Sequence, residues 1–214
     1  MNALEWIRFL DHQREAHGKT AYRIAELAHA AGHPAKGLHV ALSRLVRQGI
    51  LVRYATGVYG LPGAVDVETL VPMLDAGAYP TGHYALFRHN RVLQAPRRIT
   101  CFTNRRHNRS RERSTPFGTL EFVTVSSRIY APPARGRTVP PEQALLDYTF
   151  LARRRGLDPA HLVAFHGLDR LDRRRLDRLA ARYPATVRRT VPRDLPTPRV
   201  PAPPREGRGG SDGP

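Results

Sequence analysis

The fold of this chain is decided by residues 20–61, which read TAYRIAELAHAAGHPAKGLHVALSRLVRQGILVRYATGVYGL. Thr20 is placed to cap a helix whose apolar residues recur every three or four positions, and Gly32 offers that helix a place to end. After Pro34, a second helix is predicted over residues 35–48, with a single apolar face. Four residues form that face: Leu38, Leu42, Leu45 and Val46. The spacing therefore predicts two helices joined by a tight turn.

Two short runs of β-forming residues follow the second helix, at residues 50–54 and 58–61. Gly57 lies in the spacer between them, which fits a β-hairpin. Residues 3–16 carry apolar side chains at helical spacing and predict a first helix that packs across the other two. Helix, turn, helix and hairpin is the outline of a winged helix-turn-helix. We therefore expect residues 1–62 to form a DNA-binding domain of this kind.

A second domain is expected after this one. Residues 63–77 are predicted to be the connector, with a weak helical pattern that a proline interrupts. The second domain is expected over residues 78–190. Two strand candidates lie in it, at residues 97–103 and 118–130, and we expect them to pair as a hairpin. The loop of that hairpin is the polar segment 104–116.

Helices and a tail complete the predicted domain. A short helix is predicted over residues 82–89, and a longer one opens at residues 140–142 with Pro-Pro-Glu. Another helix is predicted over residues 158–166, and Asp172 is placed to cap the last one. Residues 191–214 are rich in Pro and Gly and poor in apolar residues, which predicts disorder. The expected fold class is α/β (α+β): an N-terminal winged helix-turn-helix, a small mixed α/β domain and a disordered Pro/Gly-rich tail.

The chain carries a formal net charge of +17, from 35 basic and 18 acidic residues. An excess of this size favours a polyanionic partner such as nucleic acid. Residues 1–62 contribute +4 and residues 63–190 contribute +12. A GC-rich genome would explain why nearly all the basic residues are arginine, but not why basic residues outnumber acidic ones. If the charge serves DNA binding, the second domain must contact DNA or another polyanion.

The second helix of the predicted motif is the recognition helix, whose N-terminal part lies near base edges in the major groove. The residues nominated for base-edge contacts share its outer face: Lys36, His39, Val40 and Ser43. Arg44 and Arg47 are candidates for phosphate contacts. Arg53 on the wing and Arg23 on the preceding helix are secondary candidates. The alternative is that these side chains are simply the solvated face of an amphipathic helix.

A basic run, NRRHNRSRER, occupies residues 104–113 within the predicted hairpin loop. Flexible basic loops follow phosphates or enter a minor groove, which makes Arg105, Arg106 and Arg109 candidate DNA contacts. A solvated, mobile loop without a partner explains the run equally well.

The sequence offers little for catalysis or metal binding. A single cysteine, Cys101, excludes a disulfide framework and a cysteine-rich zinc site, and none of the ten histidines belongs to an HExxH motif. No Gly-rich phosphate loop or Gly-x-Ser-x-Gly elbow is present. We therefore expect no catalytic residues, no metal and no cofactor.

The alternative function is a nuclease-like, nucleic-acid-processing enzyme that the winged helix targets to its substrate. Its candidate carboxylates are Glu121, Glu142 and Asp147. A simpler interpretation is that Glu142 serves a helix N-terminus and that Asp147 makes a local hydrogen bond.

The compartment follows from what the sequence does not contain. The N-terminal segment MNALEWIRFLDHQREAHG has no apolar run of signal-peptide length, and no stretch elsewhere is long enough to span a membrane. We therefore expect a cytoplasmic protein with no membrane partner.

The order of segments resembles that of the AbiEi-type antitoxins and related transcriptional regulators of type IV toxin-antitoxin systems. The resemblance covers residues 1–185 and rests on these segments: TAYRIAELAHAAG, ALSRLVRQGILVRYATGVYGLPG, GHYALFRHNRVLQAPRRITCFT, FGTLEFVTVSS and VPPEQALLDY. It implies a non-enzymatic bacterial protein that binds double-stranded DNA repeats in its own promoter through the winged helix. It also implies that the second domain neutralises a nucleotidyltransferase-like toxin encoded next to it. The long polar segment 104–116 and the Pro-rich tail depart from the family's pattern.

Overall fold

The computed structural model describes residues 1–106, 111–134 and 138–191, with the backbone alone for Ala35 and Lys36. Within these residues the fold is mixed α/β, as predicted. A three-helix unit with a three-stranded sheet is followed by a four-stranded sheet and its covering helices. One cluster of buried apolar side chains contains residues of both sheets.

The N-terminal unit contains the three predicted helices, α1 (Ala3–His17), α2 (Ile24–Ala31) and α3 (Ala35–Arg47). Large side chains from all three helices are buried in their shared core: Trp6, Leu10, Leu27 and Leu42. Gly18 and Gly32 end α1 and α2 with φ of 61° and 65°, in the left-handed region that glycine enters at low cost. The predicted three-helix core is confirmed.

A small antiparallel sheet completes the winged helix. Its strands are β1 (Ala21–Arg23), β2 (Val52–Ala55) and β3 (Val58–Gly60), in the order β1-β3-β2. The predicted β2–β3 hairpin is confirmed, but the sequence does not predict β1. Because β1 pairs with β3, α2 begins later than expected, and Thr20 does not cap it. Arg23 is the N-cap residue instead, and its backbone N–H donates to Glu26 Oε2 in the first turn of α2 at 2.7 Å.

The second sheet differs from the predicted hairpin. Its strands are β4 (Tyr79–Pro80), β5 (Arg98–Thr103), β6 (Glu112–Thr115) and β7 (Gly118–Thr124), in the order β4-β5-β7-β6. The two predicted strands, β5 and β7, are present. They run parallel to each other, however, so the prediction of an antiparallel hairpin between them is wrong.

The difference comes from the polar segment between the two strands, residues 104–116. Its last part forms β6, which pairs antiparallel with β7 from Glu112 opposite Glu121 to Thr115 opposite Gly118. The tight hairpin is therefore β6–β7. Edge strands are commonly polar, since one side of their backbone faces solvent. β6 consequently lacks the apolar alternation by which a strand is predicted from sequence.

The helices of the second part are α4 (Val67–Leu74), α5 (His83–Arg88), α6 (Pro141–Arg154), α7 (Arg173–Ala180) and α8 (Ala185–Thr190). Helices α4 to α7 match predicted ones, and Asp172 caps α7 as expected by accepting a first-turn N–H. The predicted helix over residues 158–166 is wrong, because only a 3-10 turn forms at Pro159–His161. Beyond it the chain turns toward the loop after α5, where the His166 N–H donates to the Arg91 carbonyl oxygen at 2.8 Å.

The predicted connector, residues 63–77, contains α4 and belongs to the core. Leu70 and Val71 of α4 have no exposed surface, and they share a cluster with Tyr54 of the wing and Cys101 of β5. The winged helix and the second sheet therefore share apolar core across α4.

The two faces of the second sheet bury different parts of the molecule. Successive side chains of a strand point to opposite faces. Four of them pack toward α4 and the wing: Ile99, Cys101, Leu120 and Phe122. Phe102 packs on the opposite face, in the cluster that contains the apolar residues of α6, α7 and α8. The sheet is covered on both sides.

The predicted tail, residues 191–214, lies outside the described residues except for Val191. That valine is 6% exposed and packs in the same cluster as Val187 of α8. Residue 191 thus packs with the folded part of the chain. None of the helices in the described ranges is long and apolar enough to cross a membrane.

Candidate nucleic-acid interface

Helix α3 has one buried face and one exposed face. Leu38, Leu42 and Leu45 are buried in the core of the three-helix unit. The outer face is exposed along its length at five positions: His39, Val40, Ser43, Arg44 and Arg47. Val40 is 63% exposed, although it is apolar. The residues nominated from the sequence, apart from Lys36, are therefore together on one accessible surface.

The N-terminal end of α3 keeps the charge of its helix dipole. Pro34 precedes the helix without a side-chain cap, and the first turn contains no acidic residue. Neither a side-chain cap nor a first-turn carboxylate therefore offsets the partial positive charge of this helix end. Helix N-termini of this kind accept phosphate. The backbone of Lys36 lies in this turn, and its side chain is outside the described part of the structure.

The wing is held against the second domain on one side. Tyr54 of β2 stacks on Phe117, in the β6–β7 turn, with ring centroids 5.6 Å apart. The Tyr54 hydroxyl donates to the Leu61 carbonyl oxygen at 3.1 Å. Arg53, its neighbour along β2, is exposed, because adjacent residues of a strand face opposite sides. The wing thus presents one exposed basic side chain, Arg53, on a hairpin that packs against the second domain.

Arg23 has a structural role. It lies in β1 rather than on a helix, which corrects the sequence prediction. Its Nη2 donates to the carbonyl oxygen of Met73 in α4 at 2.7 Å. This hydrogen bond ties the winged helix to α4, and it explains the arginine without DNA.

Arg105 and Arg106 are exposed at the end of the second sheet that is remote from the wing. The Arg105 N–H donates to Thr103 Oγ1 at 3.1 Å, and its carbonyl oxygen accepts from Thr124 Oγ1 at 2.9 Å. These two threonines are the last pair of β5 and β7, about 20 Å along the strands from the β6–β7 turn. The structure therefore does not bring these arginines next to the wing. Arg109 lies outside the described residues.

Helices α7 and α8 carry further exposed arginines. Their apolar side chains, Leu176 and Val187, are buried, so the basic residues face outward. Six of them are exposed: Arg173, Arg174, Arg175, Arg178, Arg188 and Arg189. Sequence reasoning misses the two on α8, because a helix of six residues is too short to show a periodic pattern.

The carboxylates considered for a nuclease site make separate contacts. Glu121 on β7 pairs with Arg155 at 3.4 Å. Glu142 is 4% exposed, and its Oε1 accepts the N–H of Asp172 at 3.0 Å. Glu142 therefore serves the start of α7, in addition to lying in the first turn of its own helix.

Asp147 is fully buried in the second domain. It accepts hydrogen bonds from Thr81 Oγ1 at 2.6 Å and from the Tyr183 hydroxyl at 2.5 Å. Burial raises the pKa of Asp147 to about 7, although these hydrogen bonds lower it. The prediction of a local hydrogen bond is wrong, since the two partners lie 66 and 36 positions away.

Metal ligands do not converge in the part of the chain that the structure describes. No group of three histidine, cysteine, aspartate or glutamate side chains there is arranged to hold an ion. Cys101 is buried in the sheet, and burial raises the pKa of its thiol.

The comparisons with known proteins found no matching family model and no matching curated protein.

Proposed function

We propose that the protein is a cytoplasmic, non-enzymatic transcriptional regulator that reads double-stranded DNA with α3. One observation carries this proposal: α3 has a packed inner face and an outer face with five exposed side chains. The helix follows a tight turn within a winged helix-turn-helix. In that fold the second helix enters the major groove.

The exposed side chains of α3 suit this role chemically. His39 and Ser43 lie about one helical turn apart and supply hydrogen-bonding groups for base edges. Val40 offers an apolar contact for a thymine methyl group. Arg44 and Arg47, in the last turn of α3, supply charge for phosphates.

Fluorescence anisotropy with a labelled duplex from the region upstream of the gene tests the proposal. Replacing three residues together, His39→Ala/Ser43→Ala/Arg47→Ala, should weaken binding at least about 100-fold, since it removes two base-edge contacts and one phosphate contact. A matched control, Arg8→Ala/His12→Ala on the exposed face of α1, removes one arginine and one histidine elsewhere and should bind as the wild type does. Equal affinities of the triple variant and the wild type would overturn the assignment of α3.

The antitoxin role is part of the same proposal, and the segment order of the sequence supports it. The partner would be a nucleotidyltransferase-like toxin that the second domain neutralises, and the DNA would be the repeats of the protein's own promoter. The proposal requires a nucleotidyltransferase-like gene next to this one; expressing that gene alone should stop bacterial growth, and coexpression with this chain should restore it. Growth that stays arrested would refute the antitoxin role without affecting DNA binding.

The nuclease alternative has less support, because its three carboxylates have different partners. Incubating the protein with DNA or RNA in Mg²⁺ or Mn²⁺ should leave the nucleic acid intact. Cleavage that Glu121→Gln or Glu142→Gln abolishes would favour the enzyme instead.

A further inference from the structure

A cavity of about 490 Å³ lies between the second sheet and α6. Arg98, Thr100 and Glu121 line it from β5 and β7, on the opposite face of the sheet from the wing, and Tyr148 and Leu151 line it from α6. Its volume is in the range of small-molecule sites. None of the side chains proposed to contact DNA lines it.

The outer wall of this cavity is apolar, although it faces solvent. Leu157 and Leu162 are 43% and 46% exposed, and both line the cavity together with Val163. Apolar side chains that remain in contact with water at the mouth of a cavity favour binding of an apolar ligand, which covers them.

Tyr148 gives the cavity an aromatic surface that is already in position. Its ring packs edge-on against His83 and Phe165, with centroids 6.0 Å and 5.8 Å away. The His83 Nε2–H donates to the Gln94 carbonyl oxygen at 2.9 Å, which holds the opposite wall. Burial lowers the pKa of His83, which favours its neutral form, although the hydrogen bond to Gln94 acts in the opposite direction. A ring-containing ligand can therefore bind without ordering the site first.

Positive charge is in excess at the cavity. Three arginines and one acid line it: Arg97, Arg98, Arg155 and Glu121. Arg155 and Arg98 both pair with Glu121, and Arg98 also pairs with Glu112 outside the cavity. These three guanidinium groups therefore have only two carboxylates, Glu112 and Glu121, to balance their charge. Of these three arginines, Arg97 is the one without a carboxylate partner among the described residues.

We propose that this cavity binds a small organic monoanion with an apolar, ring-containing body. The body contacts Tyr148 and the two exposed leucines, and a carboxylate or similar group balances the charge of Arg97. This site goes beyond the proposed DNA binding and does not depend on it, because none of its lining residues takes part in the proposed DNA interface.

Two probes with the same ring system test the proposal on the full chain without DNA. 8-Anilinonaphthalene-1-sulfonate is a monoanion, and N-phenyl-1-naphthylamine has the same rings without the charge. Fluorescence titration of the wild type should give saturable 1:1 binding of the sulfonate, at least about tenfold tighter than the neutral amine. Arg97→Gln should remove that preference.

The apolar wall is tested by Leu157→Gln/Leu162→Gln, which should weaken binding of both probes at least about tenfold. Both leucines are partly exposed, so the variant should fold, which circular dichroism verifies. Leu4→Gln/Ile7→Gln is the matched control, since these α1 residues are 56% and 38% exposed and do not line the cavity. Wild-type binding by the cavity variant, equal loss in the control, or equal affinity of the two probes for the wild type would overturn the proposal.

Discussion

Asp147 joins three segments of the second domain from a position without solvent contact. Its partners, Thr81 and Tyr183, lie just after β4 and between α7 and α8. Because burial raises the pKa of Asp147 to about 7, the side chain is protonated in acid and only partly ionised at neutral pH. Its ionised form destabilises the fold, since the interior solvates a charge poorly.

We predict that Asp147 makes stability depend on pH and that Asp147→Asn removes this dependence. The pKa of an aspartate in an unfolded chain is about 3.9, so the folded-state pKa is the higher one. The contribution of the protonated group is complete below about pH 4 and is lost as the pH rises to about 7, at up to about 1.4 kcal/mol per pH unit. Urea denaturation across this range should show the free energy of unfolding of the wild type falling relative to that of the variant. A constant difference would contradict the assigned pKa.

Gly118 is predicted to be intolerant of a side chain. Its φ is 109°, and an added Cβ would collide with the carbonyl group of Arg97. Gly118→Ala should lower the free energy of unfolding by at least about 2 kcal/mol. Gly63→Ala is the control, because its φ is 69° but nothing lies within 4 Å of an added Cβ, so it should cost about 1 kcal/mol. Equal losses in urea denaturation would show that the Arg97 contact does not matter.

Periodic patterns predict which side chains are buried but not which distant groups they contact. The spacing of Leu38, Leu42 and Leu45 is enough to place them in the core. The partners of Arg23 and Asp147 come from segments far away in the chain. No local sequence pattern indicates such distant pairs. The sequence therefore suggests a phosphate contact for Arg23 and a local hydrogen bond for Asp147.

At the scale of elements, the wing is supported by the second sheet. Tyr54 and Phe117 join β2 to the β6–β7 turn, and the cluster around them includes Ala55 and Val58 of the wing. The sheet that contains the wing has only three short strands, and so small a sheet depends on packing against other elements for its stability. We infer that the second domain stabilises the shape of the wing.

Phe117→Ala is predicted to loosen the wing selectively. Amide hydrogen exchange over residues 52–60 should become at least about tenfold faster relative to α6, because the stacked ring that covers the hairpin is lost. Phe87→Ala is a matched control, since this half-buried phenylalanine packs in the other core cluster, away from the wing. Unchanged exchange in the wing of the Phe117 variant would contradict the supporting role.

The sequence predicts the type of most elements more readily than their connection. β5 and β7 are rich in β-forming residues, and each is evident as a strand. Their relative direction depends on β6, whose sequence, ERST, is polar and exposed at the sheet edge. Without an apolar signal from β6, the two strong strands look like direct neighbours in a hairpin.

In the whole molecule, most of the net positive charge lies outside the domain that contains α3. Residues 1–62 carry +4 and contain α3, whereas residues 63–190 carry +12. Because α4 and the wing share a core with the second sheet, the arginines of the second domain are held in place relative to α3. We propose that α3 selects the DNA sequence and that the second domain supplies much of the attraction to phosphates.

This division can be tested by measuring the affinity of the protein for a promoter duplex and for a scrambled duplex at several salt concentrations. The wild type and two variants are compared. The His39→Ala/Ser43→Ala/Arg47→Ala variant should lose the preference for the promoter. The slope of its log affinity against log salt should decrease by about one, because one phosphate contact is lost. Arg105→Gln/Arg106→Gln should keep the preference and reduce the slope of log affinity against log salt by about two. A promoter preference that survives the α3 substitutions would contradict the account.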